Sequence, residues 1–390
     1  MRVRGGRGVV VVGVAAMLAA GCDLGTAADV HPAPSRLAEV ADVNGDGALD
    51  VVSAGPGAYQ VLLNDGAGGF VDGAPVAVDA EIAAFAVADV DGDGAVDRLD
   101  VTHRSPSSSS LLLARGDGTG GFGPQEVAAA DVAYEQATAL DVFDVDGDGD
   151  QDAVVGGLGS AVYRNDGAGV FTHTPGAGGL CGSSSTGGHY SMLTTELTHV
   201  DIDRDGDIDL VMSGLCEATE TLGEHPGVVL HRNDGTGRFA SAWGSFGADG
   251  GAYAGLSVGD VDEDGHLDVI VGNPSASTVI IIPGGRGYPW ITVATPAPPG
   301  DVEVADMDAD GHLDLIVTSA GTGFARVLYG SGTGTVPESH AVATGGDVVG
   351  PVAVGDIDGV GSVDLVFGND AETADSSVAL LRNTRDGRQH

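Results

Sequence analysis

A nine-residue acidic segment returns seven times along this chain, and no other feature narrows the possible folds so far. It first appears as Asp42-Val43-Asn44-Gly45-Asp46-Gly47-Ala48-Leu49-Asp50 and recurs with first residues Asp89, Asp144, Asp201, Asp260, Asp306 and Asp356, at spacings of 47, 55, 57, 59, 46 and 50 residues. The copies fill the chain from residue 37 to residue 390. A period of this size means one supersecondary unit repeated, each burying its apolar face on the next.

Every copy has the same neighbours. Apolar side chains stand four and two residues before the segment, as in Phe85 and Val87, Leu256 and Val258, or Val352 and Val354. That alternation marks a strand. A short apolar run follows the segment, seen in Val51-Val52, Leu210-Val211-Met212, Val269-Ile270-Val271 and Leu315-Ile316-Val317, and predicts a second strand. A third strand ends in an Asn-Asp-Gly turn at 64–66, 165–167 and 233–235, whose residues tolerate positive φ and close hairpins. A fourth, such as Pro75-Val76-Ala77-Val78, comes after the turn. Seven units of four short antiparallel strands predict an all-β, seven-bladed β-propeller, in which radial closure protects the sheet edges. No repeat holds a helical period long enough for a helix pair. Copy seven stops at Leu380-Leu381-Arg382-Asn383 without a fourth strand, so residues near Asp29 to Pro34 are expected to supply it.

The segment reads D-x-[D/N]-x-D-G-x-x-D. Positions one, three, five and nine place oxygen donors around one point, position seven can offer its carbonyl, and position six is glycine in all seven copies. The expected metal ligands are Asp42, Asn44, Asp46 and Asp50 in copy one; Asp89, Asp91, Asp93 and Asp97 in copy two; Asp144, Asp146, Asp148 and Asp152 in copy three; and Asp201, Asp203, Asp205 and Asp209 in copy four. They continue with Asp260, Asp262, Asp264 and Asp268, then Asp306, Asp308, Asp310 and Asp314, and in copy seven Asp356, Asp358 and Asp364. Copy seven has Val360 at position five, so its site is expected to be weak or empty and the count of sites about six. Hard carboxylate oxygens without His or Cys suit Ca²⁺. An EF-hand is excluded because position twelve is Ser53, Asp100, Val155, Met212, Val271, Val317 or Phe367, never the required Glu.

Composition agrees. Of 57 acidic residues against 16 basic ones, 45 are Asp and 12 Glu, and a helical acidic surface would favour the longer side chain. All basic residues are Arg, which excludes P-loop and Schiff-base lysine chemistry, and a net charge of −41 repels nucleic acid and anionic lipid. Apolar residues, at 42%, still suffice for a core.

The first 22 residues read as an address. Arg2, Arg4 and Arg7 precede an apolar stretch from Gly8 to Ala20, too short to span a bilayer stably. Leu18-Ala19-Ala20-Gly21-Cys22 then resembles the bacterial lipobox, which implies that Cys22 is lipidated and that the protein is an exported cell-envelope lipoprotein of the outer membrane, periplasm or cell surface, held to the membrane by that anchor only. Residues 23–36 would be a short tether and 37–390 the propeller.

The acidic loops together with the Asn-Asp-Gly-x-Gly-x-Phe turns, as at 64–70, resemble the FG-GAP or VCBS repeat family, whose propellers include the integrin α head and some fungal lectins. The resemblance spans nearly all of the mature chain and implies a calcium-loaded, seven-bladed propeller used for extracellular binding. This chain departs from it in carrying the loop in every blade.

Alternating strand direction puts the acidic loops and the Asn-Asp-Gly turns on one face. The opposite face collects irregular segments at 105–110, 172–194, 213–226, 240–253 and 370–377, where recognition would sit. Cys181 and Cys216 fall there, and in an exported protein a disulfide between them is expected. Enzyme motifs are thin: Gly255-Leu256-Ser257-Val258-Gly259 matches a nucleophile elbow yet sits in an inner strand with no helix after it. His266 and His312 occupy position seven, where only the backbone serves. The sequence therefore points to a non-catalytic, monomeric binding or adhesion module for a protein or glycan ligand. A polysaccharide-acting propeller enzyme using Asp141 and Glu303, or a purely structural envelope protein, are the alternatives.

Overall fold

The computed structural model describes residues 29–383 apart from 34–36, 56, 106–107, 130–131, 133–136, 175–179, 184–188, 218–224, 247–252, 285–288, 320, 345–349 and 370–375. The expected export signal, Cys22 and the first residues of the tether lie outside the described residues.

Seven antiparallel sheets are arranged as blades, six with their strands in chain order across the sheet and the seventh taking its outer strand from the start of the chain. In blade one the order is Leu37–Ala41, Asp50–Gly55, Ala58–Asn64 and Phe70–Asp72, with the short Val76–Ala77 also paired to the third strand. The inner strands of blades two to seven are Glu81–Ala88, Ala139–Phe143, His189–Val200, Ala254–Gly259, Pro299–Ala305 and Val352–Gly355. Each inner strand touches the inner strands of its neighbours, and blade seven's touches blade one's, which closes the ring.

The seam is where the sequence placed it. Asp29–Pro32 pairs antiparallel with Ser377–Leu381, Asp29 opposite Leu380 and Pro32 opposite Ser377, as the missing outer strand of blade seven. Part of the expected tether is therefore scaffold. His31 latches the seam to blade one: its Nδ1 lies 2.6 Å from Asp72 Oδ1 and its ring meets Phe70 edge-on at 5.8 Å.

The core lies between blades rather than inside one. Val211, Val228 and Leu230 of blade four, for example, pack with Val258, Val269 and Ile280 of blade five. A second strand is covered on both faces, so it reads as an unbroken apolar run and not as an alternation: all six residues of Asp268–Asn273 are buried.

Blade four differs from the expectation. Its strands are long, His189–Val200, Asp209–Glu217, His225–Asn233 and Phe239–Phe246, and Leu180–Ser183 adds a fifth strand beside the inner one. Segments read as irregular loops are partly strand here, because Met192-Leu193-Thr194-Thr195 continues the β-branched and apolar pattern outward past the shared blade length.

Blades one and two meet over a buried ion pair. The Arg98 and Asp100 side chains are wholly buried, bonded Nε to Oδ1 at 2.9 Å and Nη2 to Oδ2 at 2.8 Å. The Arg98 guanidinium stacks 3.6 Å from the Tyr59 ring centre of blade one. Removing one partner strands the other charge in a dry interface. Asp100→Ala is expected to cost about 3–5 kcal/mol in a denaturant melt, whereas Arg98→Met with Asp100→Leu, which removes both charges, should recover most of it.

Candidate metal centres in the acidic loops

Each acidic segment joins the inner strand of its blade to the second strand, so all seven loops lie on one face. Their backbone is the same throughout. Position six has φ between 88° and 100° in every copy, and a Cβ on these glycines would meet nothing within 4 Å, so Gly is required by the backbone angle and not by space. Position four is also left-handed, with φ from 55° to 77° whether it is Gly45 or the non-glycine Arg204, Glu263 or Ala309. The sequence had concealed that second requirement.

The carboxylates shape the loop. At position one, Oδ2 accepts the N–H of the position-six glycine in all seven copies, at 2.9–3.2 Å. At position five, Oδ1 accepts the N–H of position seven at 2.8–3.0 Å in copies one to six. In copies two, five, six and seven the position-three Asp accepts the position-five N–H at 3.2 Å. Asn44 does the same for Asp46 in copy one and donates its amide to Asp46 Oδ2 at 2.9 Å.

Position nine does more than the sequence suggested. Its side chain is buried, and in every blade Oδ2 accepts the position-two N–H at 2.7–3.3 Å. Oδ1 accepts, at 2.6–2.9 Å, an N–H at the end of the third strand: that of Asn64, Gly116, Asn165, Asn233, Gly284, Gly330 or Asn383. One carboxylate thus ties the loop to both strands it must join.

The carboxylates of positions one, three and nine come within 4.8 Å of one another in copies two to six, as Asp89, Asp91 and Asp97, then Asp144, Asp146 and Asp152, and so on. Oδ1 of Asp146, Asp201, Asp260 and Asp356 is buried without a hydrogen-bond partner. Converging oxygens with unused lone pairs fit a hard divalent cation. In copy seven Val360 replaces the position-five carboxylate and its side chain is exposed.

Two sets of residues that the sequence reading missed secure the loops, asparagines across blades and arginines within them. Asn64 Nδ2 donates to Ile357 O of the preceding blade's loop at 2.6 Å, and Asn165, Asn233 and Asn383 do the same to Val90, Val145 and Met307. Beside them, Arg115 pairs with Asp91, Arg164 with Asp146 at 2.6 Å and Arg232 with Asp203 at 2.9 Å. Between blades five and six the pair is Glu263 with His312, so a position-seven side chain is used after all. The signal was the recurring Arg-Asn before Asp-Gly at 164–167 and 232–235, read only as turn chemistry.

The inner-strand acids are staples as well. Asp141 Oδ2 lies 2.7 Å from His199 Nδ1, Glu303 Oε2 accepts from Ser257 Oγ at 3.1 Å, and Glu39 Oε2 accepts the Val87 N–H at 3.1 Å, each across a blade boundary. Ser257 is fully buried. Cys181 and Cys216 sit in strands on either side of His189–Val200, and their side chains lie outside the described residues.

Burial pushes Asp50, Asp152, Asp209, Asp268 and Asp364 up to about 6 and Asp314 up to about 7, more than the bonds from backbone N–H groups pull them down. Raised carboxyls hold more protons in the folded chain than in the unfolded one between about pH 4 and pH 7. Stability without divalent cations therefore falls as pH rises through that window. A bound cation keeps the carboxylates ionised and reverses the slope. Melting curves at pH 4.5 and 7, with and without calcium, should show opposite trends.

Comparisons with known proteins agree with this construction. A family model described as FG-GAP-like repeat matches residues 42–99, 201–271, 260–317 and 306–367, together more than half of the chain. No curated protein matches in sequence. Among solved structures, BBS1N in complex with ARL6DN superposes with a TM-score of 0.59 at 12% identity, covering 93% of this chain and 97% of that one. Sqt1 of Saccharomyces cerevisiae gives 0.57 at 11%, covering 89% and 84%, and the Pan2 WD40 domain of Neurospora crassa 0.54 at 12%, covering 90% of each. At these identities the likeness is one of fold.

Proposed function

The chain belongs to the FG-GAP-like repeat family, and from that premise we propose that it is a calcium-loaded, non-catalytic binding module, held to the cell envelope by a lipid on Cys22. It presents the face opposite the acidic loops to a protein or glycan ligand. The observation that carries this reading is the convergence of position-one, -three and -nine carboxylates in five consecutive loops, with buried Oδ1 atoms left unpartnered among them. Asp42, Asn44, Asp46 and Asp50, and their counterparts in copies two to six, would hold the ions. Bound calcium would neutralise the loops and fix the ring.

The connections from second to third strands and between blades make up the other face, leaving it free of the cation loops. Asp141 and Glu303, which an enzyme acting on polysaccharide would need, are engaged in stapling blades, and burial raises the Glu303 carboxyl well above its ordinary range. That engagement supports binding over catalysis. Metabolic labelling with a palmitate analogue, lost in Cys22→Ser, tests the anchor.

At tenfold excess over Kd each loaded site adds about 1.4 kcal/mol, so calcium is expected to raise Tm by on the order of 10 °C, and EDTA to reverse it. An unmoved Tm would remove the calcium reading. Glycan and protein arrays probed with and without chelator test the ligand, and silence in every condition would leave only a structural role.

A further inference from the structure

The residue before the third-strand terminus is Leu63, Arg115, Arg164, Arg232, Pro283, Tyr329 and Arg382 in blades one to seven, so the seven loops do not share one counter-ion arrangement. In blades two, three and four an arginine reaches Oδ2 of the position-three Asp of its own loop. These pairs are more than loose surface contacts: the acid is only 12%, 14% and 24% exposed in Asp91, Asp146 and Asp203. Two of the arginines also span a blade boundary. Arg115 Nη2 donates to Ala168 O of blade three at 3.1 Å, and Arg164 Nη2 donates to Thr236 O of blade four. In blades one, five and six the same place carries no cation.

We propose that Arg115, Arg164 and Arg232 are resident counter-ions that divide the acidic loops into two classes. This rests on the calcium reading. In blades two, three and four the guanidinium holds the position-three carboxylate in place and offsets its charge, so the loop keeps its fold when calcium is removed. It leaves Asp146 Oδ1 buried, unpartnered and available to the ion, which makes Arg164 a positioning residue and not a competitor for the site. In blades five and six the same converging carboxylates, and in blade one Asp42, Asp46 and Asp50 around Asn44, have no arginine at this place; apart from the Asn44 amide and the His312 imidazole beside Glu263, the divalent ion is what offsets their repulsion. Those loops open on chelation. Because Arg115 and Arg164 grip the next blade's turn, as Arg382 grips Gly68 O of blade one, and Arg98 clamps blade two to blade one, the two-three, three-four, seven-one and one-two boundaries stay docked while the boundaries around blades five and six loosen.

Hydrogen exchange of the full chain, in calcium and then in EDTA, reads every loop at once. Chelation is expected to speed exchange roughly fivefold or more in 42–50, 260–268 and 306–314, and much less in 89–97, 144–152 and 201–209. Arg164→Leu, which installs the residue type blade one uses, should make 144–152 sensitive to chelator while 89–97 stays protected. Arg164→Lys, which keeps the charge but not the fork, should fall between. An equal response in all six loops, or an Arg164→Leu chain whose 144–152 loop is unmoved by chelator, overturns the two-class proposal and leaves calcium binding standing. No response in any loop, with no calcium retained on dialysis, removes the calcium reading and this proposal with it.

Discussion

A buried carboxylate that accepts two backbone N–H groups is the interaction on which the rest of this ring depends. In each blade the position-nine Asp takes one N–H from the start of its own loop and one from the end of the third strand. Three strands are brought into one register by a single side chain. The cost is a carboxyl taken out of water beside several others, and burial dominates its response. An ion that draws on the remaining lone pairs would turn the repulsion into cohesion, which links the chemistry of the loop to the integrity of the sheet.

Around that unit the neighbouring blades are joined by different devices. Asn side chains reach back to the preceding loop at the seven-one, two-three, three-four and six-seven boundaries. The one-two boundary has the Arg98 and Asp100 clamp, and the five-six boundary the Glu263 and His312 pair and the Ser257 to Glu303 bond. A ring assembled from near-identical blades could slip by one unit; the unlike joints at the one-two and five-six boundaries mark positions in the ring that the shared Asn joint does not.

The architecture was legible because its signals are local and repeated. The period, the strand alternation and the glycine at position six each state one backbone requirement, and the absent fourth strand of copy seven pointed to Asp29–Pro32. The convergence of the position-one, -three and -nine carboxylates in copies two to six was legible for the same reason. What escaped notice depends on contacts across blades. Arg164 and Asn165 look like turn residues until a neighbouring loop is placed beside them, and nothing in single-strand periodicity shows that Asp141 faces His199 from the next blade. Blade four was misjudged because its strands run past the shared length, so the period stopped being informative where the fold departs from it. The left-handed position four was hidden because Arg204, Glu263 and Ala309 carry it without glycine.

The central claim is that these loops are cation sites and not bare acidic hairpins. Counting the calcium retained by the purified chain after exhaustive desalting, by elemental analysis against protein concentration, tests it most directly. Six loops carry a full donor set, so about six ions per chain are expected, with Asp→Asn at one position nine removing about one. A chain that keeps its fold and retains none, or whose count ignores those substitutions, would contradict the account.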